Sequence, residues 1–308
     1  MKLNPLAILA VTAMISSGIG FGLGIFAGVS LLPSLSPPVN SDTLFEERQS
    51  SRPVPSRKVL IAHAGGGIGE HVYTNSLEAM DRSAELGFKF IELDFMQLKN
   101  GDVILLHDWG GTYKNNFAQG QEIKYDGLVK SVDWPKSGAE FSREKMLNGL
   151  TPMDLDALID WMKNHPDVFI ITDVKSERIP GLRKIRDFAG DLAPRFIAQI
   201  FAPDQYEPAR ALGFENIILT VFMLGEPLRI SVEDLGDFCR KNDLFALTMP
   251  DSWFAEDTFE RLGTIHTPLF LHTTNGEKRA EHFFSAGVQG LYTDYLTPNW
   301  LAKIYPSK

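Results

Sequence analysis

The chain contains one cysteine, Cys239, so no internal disulfide can brace it. It has no cluster of lysine and arginine interleaved with aromatics, and its formal net charge is -9. That balance excludes non-specific attachment to a nucleic-acid backbone, which needs concentrated positive charge. No internal repeat is present, and the only biased tract is a short one rich in proline and serine. One stretch lacks charge altogether. From Leu6 to Leu32 no side chain is ionisable, a run longer than the ~20 residues a helix needs to cross a bilayer.

That run predicts an N-terminal transmembrane anchor over residues 1–32. It exceeds the apolar region of a secretory signal, and no small-x-small cleavage site follows it. Lys2 lies on the short side, whereas Asp42, Glu46 and Glu47 come first on the far side. This bias places the N-terminus inside and the body outside the cell membrane, periplasmic or extracellular, after a single pass. Gly20, Gly24 and Gly28 recur at a spacing that lets two membrane helices approach, so the anchor offers a homodimer face. Residues 33–57 form a linker, because Pro33, Pro37, Pro38, Pro53 and Pro55 withdraw backbone donors.

From Lys58 to Lys308 the pattern alternates between strand and helix. Strands are expected at 59–62, 90–95, 103–106, 169–174, 196–200, 217–221, 245–249, 269–272 and 290–293. Helices are expected from Asn75 to about Gly87, with Glu78 as capping partner, and from Thr151 to about Asn164. Further helices are expected at 182–193, 205–212, 232–241, 256–262 and 278–286. So many alternating units in about 250 residues fit an α/β fold of the (β/α)8 TIM-barrel type. A doubly wound sheet is the alternative. It would carry a glycine-rich turn leading straight into a helix, which Gly65-Gly66-Gly67 only partly imitates.

The chemistry-bearing residues collect at the ends of these strands. His63 closes the first. Glu92 and Asp94 lie two apart on the second and therefore share a face. His107 follows the next short strand, and Asp173 and Lys175 repeat the two-residue spacing. A lone strand-end carboxylate is usually a loop cap, and a lone histidine is usually structural. Three carboxylates, two histidines and a lysine at successive strand ends suit a divalent cation and phosphoryl transfer to water. His71, His165, His266 and His282 fall in loops or helices and receive no role.

His63-Ala64-Gly65, Thr74-Asn75-Ser76, Glu92-Leu93-Asp94, His107-Asp108, Asp173-Val174-Lys175 and Leu291-Tyr292-Thr293-Asp294-Tyr295 together resemble the motifs of the glycerophosphodiester phosphodiesterase family. The resemblance runs from about Val59 to Pro298. It implies a TIM barrel, a cation such as Mg2+ or Ca2+ on Glu92, Asp94 and Asp173, and His63 and His107 as acid and base. It implies that Lys175 stabilises transition-state charge. Asn75, Trp109 and His272 are expected to touch a small or lipid-derived phosphodiester. Three positions depart from the family pattern: Ala64 stands where arginine is usual, Thr74 where glutamate is usual, and Asp173 where glutamate is usual. The Asp-x-Lys form is similar to the sphingomyelinase D group. A phospholipase D-like enzyme on lysolipids or sphingolipids and a non-catalytic phosphodiester-binding barrel are therefore the alternatives; glycoside hydrolysis is a weaker one. The segment Gly110 to Gly149 has little periodicity, as expected of a lid or specificity insert.

Overall fold

The structure, a computed structural model, describes residues 58–117, 136–222 and 231–306. The expected anchor 1–32, its glycine face and the linker 33–57 lie outside the described residues. Among the described residues no helix is long and apolar enough to cross a membrane.

Nine strands form one sheet: β1 (Val59–Ala62), β2 (Phe90–Gln97), β3 (Val103–Leu105), β4 (Phe169–Val174), β5 (Phe196–Ile200), β6 (Ile217–Thr220), β7 (Ala246–Pro250), β8 (Leu269–His272) and β9 (Gly290–Thr293). All but β3 run parallel, and the pairing of β1 with both β9 and β2 closes them into an eight-stranded barrel. β3 is antiparallel to β2 and lies outside the barrel. Asn100-Gly101 makes that hairpin, with Gly101 at φ 90° and the Leu98 N–H donating to the Asp102 carbonyl at 2.8 Å.

Helices α1 (Leu77–Glu85), α4 (Leu155–Asn164), α5 (Arg178–Ala189), α6 (Tyr206–Ala211), α7 (Val232–Lys241), α8 (Thr258–Leu262), α9 (Glu277–Ser285) and α10 (Pro298–Ile304) follow barrel strands or the β3 hairpin. Short helices α2 (Gly111–Asn116) and α3 (Gly138–Phe141) belong to the expected insert, whose residues 118–135 lie outside the described residues.

Several helix starts differ from expectation. α1 is capped by Ser76, whose side chain accepts from the Ala79 N–H, and not by Asn75. Glu78 turns away to bind the Thr151 amide and hydroxyl, so no capping box forms. Asp154 caps α4, accepting from the Ala157 N–H at 2.9 Å. α5 starts earlier than expected because Pro180 fits a first turn, where a missing N–H costs nothing. It stops at Gly190, which has φ 53°.

Two apolar regions hold the fold. Outside the barrel, residues such as Leu93, Ile170, Leu182 and Phe283 fill the layer between strands and helices. Inside it, Ile61, Phe90, Ile171, Ile197, Ile218, Phe245 and Phe270 form a closed floor. Full burial of each such side chain stabilises the fold by about 1.5–3 kcal/mol. The floor ends two residues below the C-terminal strand ends, and the polar groups begin there.

Candidate active site

His63 begins a single 3-10 turn directly after β1. That turn carries Ala64 into the left-handed region at φ 47°, which aims its N–H at Glu92 Oε2, 2.8 Å away. The Ala64 side chain is fully buried. With no guanidinium at position 64, this turn offers Glu92 a backbone donor alone.

β2 points Glu92 and Asp94 into the barrel, and the parallel register sets Asp94 opposite Asp173 on β4. Glu92, Asp94 and Asp173 each offer an oxygen, all within 4.8 Å of one another. Lys175 lies between two of them, its Nζ 2.7 Å from Asp94 Oδ1 and 2.8 Å from Asp173 Oδ2. Asn75, at φ 49°, donates from Nδ2 to Asp94 Oδ2 at 2.8 Å and accepts the Asp94 N–H at 2.9 Å. Asn75 is 0% exposed, and both ends of its amide are engaged. It therefore positions the Asp94 carboxylate.

The electrostatics of the cluster are dominated by buried negative charge. Burial, with Asp94 and Asp173 nearby, pushes the Glu92 carboxyl up to about 8. Burial also raises Asp173, with Asp94 adding to the effect. Burial works against ionisation of Asp94 too, but Lys175, His107 and Asn75 outweigh it and hold that pKa low. One lysine does not balance three buried carboxylates. Asp173 Oδ1 is buried and has no hydrogen-bond partner among the described residues. A hard divalent cation on these oxygens meets both demands, so the donor set fits one.

His63 Nδ1 lies 2.9 Å from Asp294 Oδ1, and the tautomer that donates there leaves Nε2 for substrate. Asp294 is in turn held by Asn275, whose Nδ2 donates to Oδ2 at 2.7 Å and whose Oδ1 accepts the Asp294 N–H at 2.7 Å. Burial alone would lower the His63 pKa; the Asp294 bond and the charges of Glu92, Asp294 and Asp94 overcome it and raise it. Asp294 stood in a quoted motif, yet its role was not read. The signal was present, since it too is a carboxylate just past a strand end.

His107 reaches the same centre by another route. The Leu106 N–H donates to the Asp94 carbonyl at 3.0 Å, so the return strand of the hairpin sets His107 beside the carboxylates. Asp108 Oδ2 holds His107 Nδ1 at 2.8 Å and also accepts the Thr112 hydroxyl at 2.8 Å. Tyr73, unremarked in the sequence, stands edge-on to both histidines, with ring centroids 4.6 Å from His63 and 5.1 Å from His107.

His272 lines the small cavity at the mouth together with His63, Glu92, Asp173, Gln199 and Tyr292. Its Nε2 and the Tyr292 hydroxyl are buried without partners among the described residues. Burial first, then His63 and Lys175, lowers the His272 pKa to about 4, so its ring is neutral. Trp109 packs at 5.2 Å on Tyr113 in a satellite cluster with Ile104 and Phe141, and lines neither of the two cavities described.

No family model and no curated protein sequence matches the chain. Solved structures do. A glycerophosphodiester phosphodiesterase of Thermotoga maritima is 20% identical, covering 80% of this chain and 96% of that one at a TM-score of 0.57. An Oleispira antarctica phosphodiesterase in complex with the product sn-glycerol-3-phosphate is 16% identical, covering 80% and 97% at 0.60. A glycerophosphodiester phosphodiesterase of Parabacteroides distasonis is 16% identical, covering 81% and 98% at 0.57. The chain shares the TIM-barrel fold of these proteins over nearly their whole length.

Proposed function

We propose that this chain is a metal-dependent phosphodiester hydrolase of the glycerophosphodiester phosphodiesterase type, releasing glycerol 3-phosphate and an alcohol in lipid turnover. The observation that carries the reading is the meeting of two carboxylate-paired histidines at one cluster of three buried carboxylates. The solved phosphodiesterases of like fold, one holding glycerol 3-phosphate, support it.

Glu92, Asp94 and Asp173 would hold the cation, which supplies positive charge to the phosphate oxygens. Asn75 fixes Asp94, the Ala64 amide fixes Glu92, and Lys175 offsets charge between Asp94 and Asp173. His63, made more basic by Asp294, takes the proton of the attacking oxygen. The new oxygen–phosphorus bond forms as the bond to the alcohol breaks. His107, oriented by Asp108, gives its proton to the departing alkoxide. The uncharged run at 6–32 supports anchoring this barrel to the outer face of the cell membrane, with Gly20, Gly24 and Gly28 as the pairing face.

The test uses the purified full chain in mild detergent with glycerophosphoglycerol and glycerophosphocholine. Release of glycerol 3-phosphate should need added Mg2+ or Ca2+ and stop with EDTA. His107→Ala and Asp173→Ala should each lower it on the order of 10^3-fold. Undiminished release in EDTA or in Asp173→Ala would remove the metal from the reading.

A further inference from the structure

In-line displacement puts the attacking and the departing oxygen on opposite sides of phosphorus, so each needs a place beside its own histidine. The barrel mouth offers two such places. His107 lines a groove of about 310 Å3 and not the inner cavity. His63, the base of the proposed mechanism, lines the inner cavity, about 40 Å3. A cavity takes a water from about 10–15 Å3 upward, so this one admits an oxygen and little beside it.

The wall of the inner cavity is of two kinds. Its charged arc comes from the ends of β1, β2 and β4, with His63, Glu92 and Asp173. Its neutral arc comes from β5, β6, β8 and β9, with Gln199, Thr220, His272 and Tyr292, all able to hydrogen-bond. β9 pairs with β1, Tyr292 opposite Ile61, so the two arcs meet near His63. The His272 ring is held edge-on between Phe222 and Tyr292, at 5.9 and 6.0 Å. His272 Nε2 and the Tyr292 hydroxyl find no partner among the described residues, and a buried polar group left unpaired costs stability. Burial first, then Glu92 and Asp173, raises the Tyr292 pKa and keeps its hydroxyl a donor.

We propose that His272 and Tyr292 are further catalytic residues, which hold the attacking water in the inner cavity beside His63. The proposal rests on the phosphodiesterase reading and adds the identity and the seat of its nucleophile. The count of hydrogen-bonding groups selects water. The His63 tautomer that donates from Nδ1 to Asp294 leaves Nε2 to take one proton of the water. His272, protonated on Nδ1, accepts the other proton at Nε2. The Tyr292 hydroxyl donates to one lone pair, and the second lone pair faces phosphorus. A hydroxyl of the substrate has carbon in place of the second proton, which would leave His272 unpaired and put a carbon chain into a space of about 40 Å3. As the water oxygen bonds to phosphorus, its proton passes to His63, the ester bond to the alcohol breaks, and His107 protonates the alkoxide. The products are an open phosphomonoester and an alcohol, with no cyclic phosphate between.

The experiment uses the purified full chain in mild detergent with Mg2+ or Ca2+. The substrates are glycerophosphocholine and propyl phosphocholine, a diester without a free hydroxyl on either arm. Both should release choline, the propyl diester within about tenfold of the other in kcat, as loss of one or so hydrogen bond to the substrate allows. Phosphorus NMR should show the open monoester as the first product. Tyr292→Phe and His272→Leu should each lower kcat on both diesters by about 10- to 100-fold, the cost of a misplaced reactant, with KM within about twofold. His272→Gln keeps an accepting oxygen and should recover part of that loss. Tyr292→Phe should melt at or above the wild type, because it removes a hydroxyl without a partner. A cyclic phosphate as first product, or an inert propyl diester beside active glycerophosphocholine, would overturn the proposal in favour of the substrate's own hydroxyl. Unchanged kcat in Tyr292→Phe and His272→Leu, or a lower melting temperature in Tyr292→Phe that accounts for its lost activity, would overturn it and leave the phosphodiesterase reading standing. No turnover of either diester by the wild type would overturn both.

Discussion

Along β1, Ile61 faces the barrel floor and His63, two residues on, faces the mouth; on β2 the step is from Phe90 to Glu92. β4 changes from Ile171 to Asp173, β5 from Ile197 to Gln199, β6 from Ile218 to Thr220 and β8 from Phe270 to His272. The same inward face of the same strands is thus apolar at one level and polar at the next. The lower level is buried throughout and the upper level is buried or half-buried, so neither is open surface. Below, taking side chains out of water stabilises the fold. Above, it opposes ionisation of Glu92 and Asp173 and protonation of His272. The floor stabilises the chain itself, whereas the mouth carries buried charge that its neighbours only partly offset.

The largest test of that contrast is Glu92→Gln. Activity should fall on the order of 10^3-fold, the loss typical of one group in a charge-stabilising site. Stability should move the other way when metal is absent. The folded pKa of Glu92, about 8, lies above its unfolded value of 4.5. The folded state therefore binds the extra proton between those values, and metal-free stability drops as pH rises from 4.5 to 8. The cost is on the order of 5 kcal/mol. In EDTA at pH 8 the variant should melt above the wild type, and Mg2+ or Ca2+ should reverse the order. A wild type that melts higher even in EDTA would show that the mouth is not held under charge strain.

A smaller effect of opposite sign comes from His272. Its folded pKa, about 4, lies below the unfolded 6.5. Below pH 6.5 the unfolded chain takes a proton that the folded chain refuses, so stability falls from pH 6.5 to 4, by about 3 kcal/mol. His63 and Lys175 face the ring and strengthen the refusal. Urea unfolding at pH 7, 5.5 and 4.5 should show His272→Gln losing less stability than the wild type over that range. Equal losses would mean that the His272 ring accepts its proton in the folded state.

Much of this division was legible beforehand, because a two-residue period is visible in a single strand. Glu92 with Asp94 and Asp173 with Lys175 announced a shared face, and the strand rhythm announced the barrel. What pairs across strands was not legible. Nothing in the sequence sets Asp94 opposite Asp173, and His63 meets Asp294 across 231 positions. Asn75 was misread as the first helical residue because asparagine suits both a cap and a left-handed turn; Ser76 took the cap, and Asn75 the turn. The antiparallel return of β3 did have a signal, Asn100-Gly101, which a regular alternation of strand and helix obscured.

The smallest test keeps to the floor. Gly290 pairs with Phe270 in the β8–β9 register, and the Phe270 ring occupies the space a side chain at 290 would need. A Cβ there would collide with Phe270 Cδ1, and Phe270 is only 1% exposed, with Phe245 against it at 6.1 Å. The ring has no free volume to move into, so Gly290→Ala should cost about 1–3 kcal/mol by overpacking. Phe270→Leu in the same chain should return part of that loss, because a shorter side chain vacates the contested space; the two changes should be non-additive. Activity per folded molecule should hold in both, since His272 and Tyr292 stand one level higher on the same two strands. If Gly290→Ala lowered turnover while leaving the urea midpoint unchanged, the floor would be setting the geometry of the mouth as well as its stability, and the two levels would not be separable.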